Sequence, residues 1–118
     1  MKKIYICSPY RGDIEKNKRN ARRYCLLALK HGHFPIAPHL IFTEFLDDDV
    51  PEEREMGLQL GLEMLDLCNE VWVFGRQITE GMQQEILYAK AKPYKLIRYF
   101  STDCQEIGDS QLSGGNRV

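Results

Sequence analysis

The sequence predicts an α/β fold, a small doubly wound parallel sheet of about four strands with three main helices. Three observations carry this. Short β-branched or aromatic runs alternate with helix-length segments in the order βαβαβαβ, the pattern of parallel strands joined by crossover helices. The run Val71-Trp72-Val73-Phe74 is apolar on both faces, as a central parallel strand must be. A chain of 118 residues suffices for one hydrophobic core but not for two.

Lys3-Ile4-Tyr5-Ile6-Cys7 forms the first strand, stopped by the turn signal Ser8-Pro9-Tyr10-Arg11-Gly12. Asp13 can cap the next helix, whose apolar face is Ala21, Tyr24, Cys25, Ala28 and Leu29. Its opposite face, Lys16, Lys18, Arg19, Arg22 and Arg23, reads as a solvated basic surface, and Gly32 ends it. His33-Phe34-Pro35-Ile36-Ala37-Pro38 is a second strand bracketed by prolines, hence an edge strand. The stretch 39–46 is apolar but fits neither the helical nor the strand period; following the carboxyl end of a strand, it is placed to wall a pocket.

Asp47-Asp48-Asp49 with Pro51-Glu52-Glu53 reads as a helix start, since acidic residues complement the dipole there. The helix over 51–68 has two apolar lines, Leu58, Leu62 and Leu65 on one side and Leu60, Met64 and Leu67 on another. Two stripes require two partners: the sheet, and most simply a second copy of the chain, which predicts a homodimer or higher homo-oligomer. After the central strand, Met82, Ile86 and Ala89 form the buried face of the third helix, Lys92-Pro93 closes it, and Tyr94-Lys95-Leu96-Ile97-Arg98-Tyr99-Phe100 is the last strand. Residues 1–100 thus form one flavodoxin- or Rossmann-like α/β domain, and the polar stretch 101–118 is expected to be a flexible tail.

The composition, 43% hydrophobic and 28% charged with net charge −1, lacks the basic excess of a general nucleic-acid binder. No apolar run approaches the roughly 20 residues of a membrane helix, and the apolar run after Lys3 is too short for a signal peptide; the cytoplasm is the expected location. Cys7, Cys25, Cys68 and Cys104 match no Cys-x-x-Cys pattern and read as small core hydrophobes, while His31, His33 and His39 lack partners at ligand spacing. Neither a metal nor a cofactor is expected.

Ligands of open α/β sheets bind beyond the carboxyl ends of strands, where helix N-termini present free N–H groups. Two such loops should be neighbours, 8–12 after the first strand and 75–81 after the third. Ser8 brings a hydroxyl, Tyr10 a phenol, Arg11 a planar fork for phosphate or carboxylate, and Gly12 close backbone approach. Thr79 can cap the third helix, leaving the Gly81 and Met82 N–H groups open to a ligand. Glu85, four residues beyond Gly81, is the centre of the expected chemistry, and so near a helix start it is expected to be ionised. The set describes a pocket for a small, anionic, nucleotide-like molecule.

The segments Ile4-Tyr5-Ile6-Cys7-Ser8-Pro9-Tyr10-Arg11-Gly12, Glu70-Val71-Trp72-Val73-Phe74 and Gly81-Met82-Gln83-Gln84-Glu85-Ile86-Leu87-Tyr88-Ala89 together resemble the nucleoside 2-deoxyribosyltransferase-like superfamily. That superfamily includes deoxynucleoside monophosphate N-glycosidases, and the likeness is closest to its small, often phage-encoded members. It covers about residues 3–98. The resemblance implies cleavage or transfer at the N-glycosidic bond of a nucleoside or nucleoside 5′-monophosphate, with Glu85 as nucleophile at the anomeric carbon. It implies that Tyr10, Arg11 and Gly12 hold the sugar or 5′-phosphate, that Gly81 and Met82 form the phosphate-facing turn, and that Arg11 favours a nucleotide over a nucleoside. Two departures stand out. Thr79 occupies a position that is acidic in the transferases, and Gly61 falls where they carry an aspartate, with Glu63 and Asp66 as the nearby acids able to replace it. The alternative is a non-catalytic protein that senses or sequesters a nucleotide on the same fold.

Overall fold

The structure, a computed structural model, describes residues 1–108. Its elements run β1 (Lys3–Cys7), α1 (Ile14–Lys30), β2 (Phe34–Ile36), two single 3-10 turns (Pro38–Leu40 and Phe42–Glu44), α2 (Pro51–Asp66), β3 (Glu70–Phe74), α3 (Glu80–Lys90), β4 (Leu96–Phe100) and β5 (Glu106–Ile107). The sheet order is β2-β1-β3-β4-β5, with β1 to β4 parallel and β5 antiparallel to β4. The four expected parallel strands and three helices are therefore present, β2 at an edge. The short β5 is an addition: residues 101–108 turn back on β4, where the Arg98 guanidinium makes two hydrogen bonds to the Glu106 carboxylate. The rest of the tail expected to be flexible, 109–118, lies outside the described residues.

Strand alternation sends side chains to two layers. Ile4, Ile6, Trp72 and Phe74 meet Tyr24 and Ala28 of α1 on one face, with Phe74 stacked on Tyr24 at 4.0 Å between ring centroids. Tyr5, Cys7, Val71 and Val73 meet Leu65 of α2 and Met82, Ile86 and Ala89 of α3 on the other. All five residues of β3 are buried, as its two-sided apolarity requires. The chain leaves β1 toward β2 and returns to the far side of β1 as β3. This reversal opens a crevice at the carboxyl ends of β1 and β3, the place where doubly wound sheets bind ligands.

The outer line of α2 is only partly covered within the described chain: Met64 packs against the core and Leu60 is half-buried, but Leu67 stands out. Leu67 is 67% exposed and Met56 54%, whereas Leu65 is fully buried. No helix is long and apolar enough to cross a membrane among the described residues.

Candidate active site

The crevice is a cavity of about 350 Å³, inside the roughly 300–1,000 Å³ range of small-molecule sites. Ser8, Tyr10, Arg11, Thr79, Gly81, Met82 and Glu85 all line it, so the loops after β1 and β3 do meet. Gly12 does not: with φ +101° it turns the chain away, into a shallower groove beside the cavity. The segment 39–46 supplies the expected wall through His39, Phe42, Thr43 and Leu46. Gly57, Leu58 and Gly61 of α2 form the opposite side.

Glu85 sits on the buried stripe of α3, in register with Met82, Ile86 and Ala89. That places its carboxyl under β1 rather than at the solvated helix end. The Tyr5 hydroxyl donates to Glu85 Oε2 at 2.5 Å, and the Cys7 thiol donates to Oε1 at 3.3 Å. Burial, against the lowering effect of these two hydrogen bonds, raises the Glu85 pKa from 4.5 to about 7. The expectation of a fully ionised carboxylate is therefore corrected: Glu85 lies too deep, one turn past the helix start, for the dipole to offset desolvation. Burial and the adjacent carboxylate push Tyr5 and Cys7 well above their ordinary values, so both stay protonated and act as donors.

Thr79 caps α3, its side chain accepting from the Met82 N–H at 3.2 Å. This corrects the expectation that Met82 offers a free N–H; Gly81, one residue earlier, is left with the open one in the first turn. Arg11 is also engaged, with Nε 3.3 Å from Asp48 and a terminal nitrogen 3.6 Å from Asp49. Asp48 and Asp49 thus serve the loop, while Glu52 and Glu53 lie in the first turn of α2, as expected of a helix start. The N-cap of α2 is Val50, which makes no side-chain capping bond, and Glu53 reaches back to the Asp47 N–H at 2.7 Å.

Neither acid near Gly61 reaches the cavity. Glu63 is exposed, and Asp66, at the C-terminal end of α2, accepts from Tyr88 of α3 at 2.7 Å and pairs with Lys92 at 3.3 Å. Gly61 itself faces the site, a Cβ there lying 3.4 Å from the Tyr5 hydroxyl. The acids that do line the cavity are Asp48, Glu53 and Glu80 besides Glu85. Ser8 is buried and its Oγ has no hydrogen-bond partner among the described residues, an open polar atom at the cavity wall. His39 stacks on Tyr10 with ring centroids 5.1 Å apart. Burial lowers its pKa against a hydrogen bond with the Ser8 backbone, which keeps the ring chiefly neutral near pH 7.

The sequence reading missed Tyr5, Cys7 and His39. Tyr5 carried a signal: a tyrosine at an inward position of a buried strand needs a partner for its hydroxyl. No group of three or more His, Cys, Asp or Glu side chains is placed to hold a metal ion among the described residues.

Two solved structures share this architecture. One is a 2-deoxyribosyltransferase from the psychrotolerant bacterium Bacillus psychrosaccharolyticus, 15% identical, with a TM-score of 0.62 over 84% of this chain and 72% of that one. The other is a 2-desoxiribosyltransferase from Leishmania mexicana, 19% identical, with a TM-score of 0.60 over 98% of this chain and 79% of that one. No curated protein matches the chain. At these identities the likeness is one of fold, and the chain has the nucleoside 2-deoxyribosyltransferase-like fold. Residues 2–100 match the family described as Domain of unknown function (DUF7768), and the chain belongs to that family.

Proposed function

We propose that the chain binds a nucleoside or nucleoside 5′-monophosphate in this cavity and cleaves or transfers its N-glycosidic bond, with Glu85 as nucleophile. The observation that carries the reading is the Glu85 carboxyl held at the cavity by the Tyr5 hydroxyl and the Cys7 thiol. The fold shared with two proteins named as 2-deoxyribosyltransferases supports it.

In the reaction a Glu85 oxygen bonds to the anomeric carbon as the carbon–nitrogen bond breaks. The base leaves with the bonding pair and takes up a proton. Solvent water supplies that proton, and the neutral His39 ring lines the wall as a hydrogen-bonding partner for the departing base. Water or a second base then attacks the same carbon and releases Glu85. A pKa of about 7 leaves roughly half of the Glu85 carboxyl ionised near neutral pH, enough to act as nucleophile. Ser8, Tyr10, Gly81 and Thr79 line the side on which the sugar would rest, while Phe42, Leu46 and Leu58 offer apolar surface to a base. Self-association through the outer line of α2 completes the proposal.

Incubation with a panel of nucleosides and 5′-monophosphates, with chromatography for free base, tests it. Base release that Glu85→Ala abolishes in a folded protein supports the reading; release that survives this substitution removes Glu85 as nucleophile. One observation favours the non-catalytic alternative: Gly61 stands at the cavity at the position where the resemblance implies an acid, and neither Glu63 nor Asp66 lines it. Tight binding of a nucleoside with no base released from any candidate would establish that alternative.

A further inference from the structure

Arg11 is the residue that would be expected to receive a 5′-phosphate, and in the folded chain it is already taken. Its guanidinium leaves the β1–α1 loop, crosses the edge of the cavity and meets Asp48 and Asp49 of the loop before α2. The remaining charges of the cavity add to the same effect. Arg54 is the other lining guanidinium, and Asp48, Glu53 and Glu80 are lining carboxylates, with Glu85 a further acid at the site. A ligand bearing a dianionic phosphate would meet more carboxylates than guanidinium groups there. In a cleft partly closed to water such repulsion is screened less than at an open surface.

We propose that Asp48 and Asp49 are specificity-determining residues that occupy Arg11 and set the site for an uncharged nucleoside against its 5′-monophosphate. This rests on the nucleoside-binding reading above and names the substrate class within it. The ion pairs have little to do with holding the fold. The Arg11 side chain is 51% exposed, that of Asp48 29% and that of Asp49 89%, and ion pairs with one half-exposed partner contribute little to stability. Their consequence falls on the charge of the ligand, and replacing the two aspartates should leave the domain folded. Arg54 is the rival seat for a phosphate, since its side chain makes no ion pair among the described residues; Glu53, beside it in sequence, lines the same wall.

The test measures calorimetric binding of a set of 2′-deoxynucleosides and their 5′-monophosphates to the full chain, with free base assayed in parallel. The proteins are the wild type, Asp48→Asn/Asp49→Asn, Arg54→Ala, and Asp103→Asn as an exposed acid in the β4–β5 turn. The wild type should bind the nucleoside at least tenfold more tightly than its monophosphate. The double substitution should bring that ratio to about one or reverse it, and Asp103→Asn should leave it unchanged. A wild type that binds the monophosphate as well as or better than the nucleoside overturns the proposal, and loss of that binding in Arg54→Ala would show where the phosphate sits. An unchanged ratio in the double variant also overturns it. Nucleoside preference without base release removes the catalytic reading and keeps this one; base release chiefly from the monophosphate does the reverse. Binding of neither class removes both.

Discussion

The Tyr5 hydroxyl and the Glu85 carboxylate meet at 2.5 Å across the β1–α3 interface, 80 residues apart in sequence. Tyr5 is fully buried and its pKa is raised, so it is a donor to Glu85 at every working pH. A hydrogen bond to a charged group is worth about 1.5–3 kcal/mol, and this one favours the ionised form of Glu85. Tyr5→Phe keeps the ring and removes the donor. It should push the Glu85 pKa further up, move the acid limb of the pH–rate profile to higher pH, and lower kcat/KM by roughly 10- to 100-fold. A profile that keeps its midpoint would show that Tyr5 does not act through Glu85.

Glu85 also makes stability depend on pH. Its folded pKa of about 7 lies above the ordinary 4.5, so between these values the folded chain holds a proton that the unfolded chain has lost. Stability must then fall as pH rises from about 4.5 to about 7 and stay lower above that. At 1.36 kcal/mol per unit the loss is about 3 kcal/mol. Glu85→Gln should remove this slope and make the protein more stable than wild type at pH 8, by urea denaturation, while abolishing base release. An equal loss of stability between pH 5 and pH 8 in both proteins would assign the slope to another group.

Much of this site could be read from the chain, and the parts that could not have physical causes. Glycine-bearing loops after alternating strands, a helix start at Thr79 and a glutamate beyond Gly81 were enough to bring seven candidate residues to one cavity. The burial of Glu85 was also written in the pattern, since it shares the stripe of Met82, Ile86 and Ala89. The pull of the helix dipole hid it, because that argument applies to the first turn and Glu85 lies beyond it. The pairing of Arg11 with Asp48 and Asp49 was not legible. It joins two irregular loops whose approach is set by the β1–β2 crossover, and no periodicity encodes that distance. The strand β5 was hidden for a similar reason: two residues are too few to show alternation.

Gly61 is a helix-interior glycine kept where alanine would be favoured by about 1 kcal/mol. Its missing Cβ would lie 3.4 Å from the Tyr5 hydroxyl and 4.0 Å from Pro38, contacts that ask for only a small adjustment. Gly61→Ala should therefore raise stability by up to about 1 kcal/mol in urea while weakening nucleoside binding, because the added methyl enters the cavity beside Tyr5. Unaltered affinity together with the stability gain would show that the ligand does not reach this part of α2.

The proposed self-association would use the outer face of α2. Of the outer line Leu60, Met64 and Leu67, Met64 packs on the core, whereas Leu67 is 67% exposed and Met56, one turn before Leu60, is 54% exposed; Leu65 on the inner face is fully buried. Burying a leucine is worth about 1.5–3 kcal/mol, so a symmetric contact using this line twice gains from each copy. A charge placed on it would be repeated across the two-fold axis. Leu67→Glu should therefore lower the mass seen by light scattering to that of a single chain, 13.8 kDa, whereas Leu87→Glu on α3, also exposed, should not. Because the cavity is lined within one chain, base release should persist in the dissociated variant; its loss would mean that the second copy contributes to the site.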